Sequence, residues 1–407
     1  MRELTEKDFA KAVKNPLMTM KYKQLSHFAE YRAERIENVK VSNRNYVSIE
    51  NMLPDRGGIE RASSLPNAKT LSKYVEGDIL LSNIRPYFKK IWFANTTGGC
   101  SNDVLVVRPN GVDAKFLFYV LSNNNFFNYS TVTSKGTKMP RGSKTAIMKY
   151  LAPDVDTTIQ VRIAEILSAY DDAIENNNRR IALLEKAARE LYREWFVRFR
   201  FPGYENVRFV NDLPEGWEVK KLTKIAKVNP PLYAAKNANE EINYIDISSV
   251  DNGRFHGYTK YIANEAPSRA RRKIKMYDTI YSTVRPSLKG YRFIVSCHLN
   301  AIVSTGFAVI RSKKQYDSAF IYFLLTEQRV VDYFAQIATG TSYPAISGSD
   351  IERLKIILPN EIIRNMYWDN VKPMFDKVDK CESQSQNLAR QRDLLLPRLM
   401  SGKLEVS

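Results

Sequence analysis

The sequence predicts an α+β protein in which two pseudo-repeated mixed α/β domains are separated by two long helices forming an antiparallel coiled coil. Three observations predict it. A set of motifs recurs in order at an offset of about 200 residues, two stretches carry apolar residues at 4-3 spacing, and matching β-rich runs close on proline.

The repeat has four parts, and its offset drifts from 197 to 204, as loop insertions produce. Tyr22–Ala29 returns as Val219–Ala226, and Tyr46–Ile49 as Tyr244–Ile247. Gly77–Pro86 (GDILLSNIRP) returns as Tyr277–Pro286 (YDTIYSTVRP), and Gly136–Pro140 (GTKMP) as Gly340–Pro344 (GTSYP). Within each copy, Asp78–Ile84 and Asp278–Val284 are expected as buried strands, with Val104–Val107 and Phe307–Ile310 as a second matching pair. Lys115–Leu121 and Ala319–Leu325 have helical spacing, so each copy mixes α and β. Tyr277 stands where the first copy has Gly77, which predicts a different turn there.

The first seam steps through Ile163, Leu167, Tyr170, Ile174, Asn177, Ile181, Leu184, Ala188, Leu191 and Trp195, with charged residues on the faces between. No Gly or Pro interrupts Asp154–Phe201, which predicts one helix of roughly 40 residues, about 60 Å at ~1.5 Å per residue. A polar Asn in such a seam costs stability but fixes register. The second seam runs through Tyr367, Val371, Met374, Val378, Cys381, Ser385, Leu388, Arg392, Leu395 and Leu399. Pro373 and Pro397 intrude, which predicts a kink or late start near the first and fraying after Leu396. The divisions are then 1–153, a first domain; 154–203, the central helix; 204–359, a linker (Asn211–Trp217) and second domain; and 360–407, the C-terminal helix. Antiparallel pairing of the helices would set the domains at opposite ends.

Charge narrows the function. Net charge is +18, yet residues 154–197 hold six Lys/Arg against nine Asp/Glu, and residues 360–407 hold eight against seven. The excess, about +20, therefore lies outside the helices and suits a polyanion, nucleic acid first. No apolar run reaches membrane-spanning length, and MRELTEKDF is not a signal peptide. Cys100, Cys297 and Cys381, odd in number and far apart, fit a reducing cytoplasm.

Catalytic chemistry is hard to assemble. Asn229-Pro230-Pro231-Leu232 approaches the loop of amino methyltransferases, but Leu replaces the stacking aromatic and no Gly-rich strand–turn–helix precedes it. Glu218-Val219-Lys220 is a fragment of a nuclease pattern without its further carboxylate, and Cys297-His298 has no partner at zinc spacing. No P-loop and no Gly-x-Ser-x-Gly are present. The residues predict a chain that binds rather than catalyses, with no metal and no cofactor of its own.

DNA contacts need Lys, Arg and small hydroxyls for phosphates, and Arg, Asn, Gln or Ser/Thr for base edges. In the first half these are Arg85, Lys89 and Lys90 after a strand, and Ser134, Lys135, Thr137, Lys138 and Arg141 around Gly136. In the second half they are Arg285, Ser287 and Lys289, then Thr339, Thr341, Ser342 and Tyr343. Arg269, Arg271, Arg272 and Lys273 form a cluster found only in the second half. Arg85 and Arg285 also suit a structural role at the strand–Pro turn. The halves differ at Lys138-Met139 against Ser342-Tyr343, as two modules reading different bases would.

Ile163–Asn177 (IAEILSAYDDAIENN), Leu191–Phe196 (LYREWF), Leu213–Trp217 (LPEGW) and Leu395–Leu404 (LLPRLMSGKL), with the repeated elements, resemble the specificity subunits of type I restriction-modification systems over essentially the whole chain. The resemblance implies two target-recognition domains, each reading one half of a gapped double-stranded DNA site, with the helices setting the gap. It also implies docking of two adenine methyltransferase subunits and recruitment of an ATP-dependent translocating endonuclease. S-adenosylmethionine, ATP and magnesium would then belong to those partners. Alternatives are a specificity subunit of a fused restriction–methylation enzyme, a coiled-coil scaffold with two protein-binding modules, or a self-contained nuclease.

Overall fold

The computed structural model describes residues 21–230, 232–233, 239–251, 254–255, 257–297 and 300–404. Residues 1–9 (MRELTEKDF), Pro231 and His298, singled out in the sequence, lie outside the described residues. The chain divides into two units, residues 1–175 with 385–407, and residues 176–384. Each contains one α/β module and one part of each long helix.

Each module is built on the same frame. A strand at its start pairs antiparallel with the strand before the long helix: Lys21–Gln24 with Leu151–Asp154, and Glu218–Lys221 with Lys355–Leu358. A four-stranded antiparallel sheet follows. In the first unit its order is Ala29–Tyr31, Val104–Pro109, Ile79–Ser82, Ile91–Phe93, and in the second Ala226–Val228, Phe307–Ser312, Thr279–Ser282, Tyr291–Phe293. Its central strands Ile79–Ser82 and Thr279–Ser282 are fully buried, as expected for short apolar runs covered on both faces. Helices Ala114–Ser122 and Ser318–Thr326 lie where the helical spacing placed them, each followed by a second helix, Asn124–Val132 or Gln328–Ile337.

A second sheet differs between the copies. Three strands correspond: Tyr46–Val47, Gly98–Cys100 and Thr70–Tyr74 in the first unit, and Glu241–Ile245, Ala301–Ser304 and Ala270–Lys273 in the second. The fourth strand changes edge. Arg35–Glu37 covers Thr70–Tyr74, whereas Thr259–Ile262 pairs with Glu241–Ile245 and leaves Ala270–Lys273 at the edge.

The central helix spans Thr157–Tyr192, 36 residues, and ends in a five-residue π-turn, Arg193–Val197. That is earlier than the expected end at Phe201. The wider turn places Trp195 and Phe196 against Tyr367, with ring centroids 5.9 and 5.0 Å away. The C-terminal helix, Glu361–Met400, is unbroken over 40 residues, so the expected late start at Pro373 and fraying after Leu396 are not found. Both prolines are exposed, while Tyr367, Val371, Phe375, Leu396 and Leu399 are buried. That burial outweighs the ~3 kcal/mol helix penalty of each proline.

In the first unit, Ile163, Ala164 and Leu167 share a core with Leu396, Leu399 and Met400, and Asp171 holds Arg392. Within the second, Ala188 and Tyr192 pack with Tyr367 and Val371, and the Tyr367 hydroxyl donates to the Ala188 carbonyl at 3.0 Å. The helices pair antiparallel, and all twenty seam positions are buried or half-buried. They are also parts of the module cores rather than separate rods.

Two local expectations are corrected. Asn211–Trp217 is not a plain linker: Phe209–Val210 pairs with Leu213–Pro214, and Trp217 is buried against Phe201. The turn at Tyr277 matches that at Gly77, both left-handed with φ of 68° and 85°. Tyr277 tolerates it because its ring stacks on Phe293 and meets Trp368 edge-on at 5.0 Å.

Candidate nucleic-acid interface

The two candidate stretches of each half, about 50 residues apart in sequence, meet in one knuckle. It begins with a strand-ending serine. The Ser82 and Ser282 hydroxyls donate to the carbonyls of Ile84 and Val284 at 3.0 and 2.9 Å, which turns the chain out of the sheet. Arg85 and Arg285 follow in the left-handed region (φ 50° and 48°), then a 3-10 turn from Pro86 or Pro286, then Lys89 and Lys289, again left-handed (φ 52° and 56°). Left-handed backbone costs a side-chain-bearing residue of order 1–2 kcal/mol, so four such residues at matched places mark an imposed geometry.

What imposes it is the second loop. The Arg85 N–H donates to the Pro140 carbonyl at 2.8 Å, and the Arg285 N–H to the Pro344 carbonyl at 2.7 Å. That loop is itself closed by a two-bond bridge, Lys135 with Arg141 and Thr339 with Ala345, around left-handed Gly136 and Gly340. The five residues Gly-Thr-x-x-Pro are thus held out as a rigid tip.

Most side chains of the knuckle are free to meet a ligand. Lys135, Thr137, Lys138 and Arg141 are exposed in the first module, as are Arg285, Ser287, Thr339, Thr341, Ser342 and Tyr343 in the second. Arg141 pairs with Asp103 at 3.2 Å, and Ser134 is half-buried with its hydroxyl donating to the Thr131 carbonyl. Arg285 lies over the Tyr343 ring at 4.6 Å and donates to the Ser342 carbonyl at 2.9 Å. Arg85 and Lys89 are half-buried. Lys90 is engaged inside the module: it is half-buried, its ammonium donates to the Ile49 carbonyl at 2.6 Å, and burial lowers its pKa. Leu288 and Phe88, exposed beside these cations, lie within the stretches the sequence offers but are not singled out by it as contacts. Their shared place after Arg-Pro was the available signal.

The cluster unique to the second half lies on and beside the edge strand Ala270–Lys273. Arg269, Arg271 and Lys273 are exposed, while Arg272 is half-buried on the opposite face, and burial lowers its pKa. The Arg269 carbonyl accepts from Thr305 N–H, Gly306 accepts from Thr283, and Thr283 accepts from Ile346. Main-chain bonds therefore tie the basic strand to the knuckle.

The weighed catalytic motifs have structural roles. Asn229 is left-handed, its Oδ1 accepts from Val309 N–H at 3.1 Å, and its own N–H donates to the Val309 carbonyl at 2.7 Å, which prolongs the sheet. Glu218 and Lys220 pair with each other on an exposed strand. Among the described residues no group of His, Cys, Asp or Glu is placed to hold a metal, no helix is long and apolar enough to cross a membrane, and no cysteine is in a disulfide.

The family model for the type I restriction modification DNA specificity domain matches twice, over residues 20–186 and 214–376. The chain belongs to that specificity family. The two matches fall on the two modules, each with the adjoining part of its long helix. Among its relatives, the type I restriction enzyme MjaIX specificity subunit of Methanocaldococcus jannaschii is 29% identical over 321 residues, covering 74% of this chain and 71% of that protein. The HindI specificity subunit of Haemophilus influenzae is 22% identical over 399 residues, covering 81% and 87%. The fold of this specificity subunit is shared with a type I restriction-modification S subunit from M. genitalium, at a TM-score of 0.56 and 13% identity over 95% of this chain and 97% of that one.

Proposed function

We propose that the subunit reads a two-part, gapped double-stranded DNA site through its two knuckles, one half-site per module. The carrying observation is that one strained, cation-bearing knuckle is built twice, in a chain whose excess of about +20 lies outside its helices. The helices, about 54 and 60 Å long at ~1.5 Å per residue, exceed the 34–36 Å of one DNA turn, which suits half-sites a turn or so apart. In this reading the helices also dock two adenine methyltransferase subunits, and a translocating endonuclease joins them. Catalysis, with S-adenosylmethionine, ATP and magnesium, belongs to those partners, and the chain acts without a cofactor in the cytoplasm of a prokaryote.

The test is to express the chain with the adenine methyltransferase encoded beside it and to map methylated adenines across the host genome. A single gapped two-part motif is the expected result. No methylation, with both proteins soluble and associated, overturns the reading in favour of a scaffold with two protein-binding modules.

A further inference from the structure

The two knuckles share a backbone but not all of their side chains, and the division between shared and differing residues is informative. Shared are Arg85/Arg285 and Lys89/Lys289, the Gly-Thr pair and the loop proline, with the same left-handed residues and the same main-chain clamp. Differing are flanking positions, Tyr87-Phe88 against Ser287-Leu288, Lys135 against Thr339 and Arg141 against Ala345, and the two residues at the tip that the loop holds furthest out, Lys138-Met139 against Ser342-Tyr343. Met139 and Tyr343 are 49% and 68% exposed, so each module holds a large, partly apolar side chain out to solvent on a rigid support. A residue that is the same in both modules, in the same geometry, cannot distinguish one half-site from another.

We infer that base readout at each knuckle is carried by this tip pair, Lys138-Met139 in the first module and Ser342-Tyr343 in the second, while Arg85 and Arg285 are shared anchors on the DNA backbone. The inference rests on the proposed DNA-reading function. The chemistry divides accordingly. Arg285 is committed on one side to the Ser342 carbonyl and to the Tyr343 face, which fixes its plane and leaves its remaining N–H groups for phosphate oxygens. Among the described residues no aromatic ring lies over Arg85, because Met139 occupies the place of Tyr343. Lys138 offers only donors and so fits the O6 and N7 acceptors of a guanine, with Met139 as its apolar neighbour against the groove wall. Ser342-Tyr343 presents hydroxyls that both donate and accept, a different demand on the base pair.

The experiment uses the assembled methyltransferase complex and genome-wide mapping of methylated adenine. Ser342→Lys with Tyr343→Met transplants the first tip into the second module. It is expected to change base preference at one position of one half-site, by at least about fivefold. Arg285→Ala is expected to slow methylation evenly across sites and to lower the salt slope of binding by about one, with the motif unchanged. Lys138→Ala, an exposed single change, is expected to relax a G·C position in the other half-site. It keeps the test decisive if the transplanted tip fails to assemble. An unchanged motif in the tip variants, or a changed motif in Arg285→Ala, overturns the inference. Absence of any two-part motif with the unaltered chain would instead overturn the proposed function.

Discussion

Arg292 offers the sharpest test of how a module is fastened to its helices. It lies in the sheet strand Tyr291–Phe293, is 7% exposed, and its guanidinium donates to Glu382 of the C-terminal helix. Glu185 of the central helix faces the same group; burial raises its carboxyl pKa, Arg292 pulls it down and Glu382 pushes it up. Arg292 therefore serves two partly buried carboxylates, with Arg189 also acting on Glu185, all within the second unit. Arg292→Met keeps most of the buried volume but removes the cation held by Glu382 and one of the two that act on Glu185, Arg189 being the other, which costs about 3–5 kcal/mol by analogy with other broken buried pairs. For a unit of some 200 residues this corresponds to a loss of roughly 6–20 °C in melting temperature.

Intrinsic fluorescence follows this unit well, because Trp195, Trp217 and Trp368 lie in it and Trp92 alone in the other. The pH dependence has a definite sign. In the variant the buried Glu185 carboxyl, relieved of Arg292, takes up a proton more readily in the folded chain than in the unfolded one, so folding gains as pH falls. The deficit against the unaltered protein should be largest near pH 8 and shrink toward pH 5. Arg292→Met with Glu382→Gln should recover part of the loss. A deficit below about 1 kcal/mol, or one that grows on acidification, would refute the account of this contact.

Tyr277→Gly removes left-handed strain of about 1 kcal/mol but also the ring against Phe293 and Trp368, so a net loss of about 1–2 kcal/mol is expected by chemical denaturation. A stabilised variant would show that the strain dominates. Leu184→Glu places a charge at a half-buried seam position packed on the second core and is expected to abolish co-purification with the methyltransferase; intact assembly would count against the docking role of the helices. Lys289→Ala should reduce the slope of log affinity against log salt by about one, read by DNA titration at several ionic strengths, and leave the preferred motif unchanged.

The sequence carried most of the architecture because its strongest signals are periodic or repeated. Seam positions such as Ile163 and Val371 announce burial by spacing alone, and the paired GDILLSNIRP and YDTIYSTVRP runs announce equivalent strands. Proline at 373 misled because the penalty for a helical proline is local, whereas the burial of Tyr367, Val371 and Phe375 is a tertiary gain that no window of sequence displays. The match of Tyr277 to Gly77 was hidden for the same reason, since its supporting rings, Phe293 and Trp368, are distant in sequence. At the candidate interface, composition found the two loops, but their meeting through the Arg85–Pro140 and Arg285–Pro344 bonds needed the fold. Lys90 looked like its neighbours in sequence; only the nearby Ile49 carbonyl distinguishes it.

The changed edge of the second sheet explains why the basic cluster occurs in one module alone. In the first unit the strand Thr70–Tyr74 is covered by Arg35–Glu37, and Lys73 is neutralised by Glu34 at 3.0 Å. Its counterpart Ala270–Lys273 is bordered instead by a single bridge, Leu232 with Arg272, and the Tyr233 N–H donating to the Arg271 carbonyl at 2.6 Å, because Thr259–Ile262 joins the far side of the sheet; the Arg271 and Lys273 side chains stand exposed. The same cations lie on a strand tied by main-chain bonds to the Arg285 knuckle, where a polyanion would be met. Moving one strand from edge to edge thus alters the charge presented beside the knuckle while the buried strands Ile79–Ser82 and Thr279–Ser282, and the helix-borne core beneath them, stay the same. A module can in this way vary what it offers to DNA without altering what holds it together.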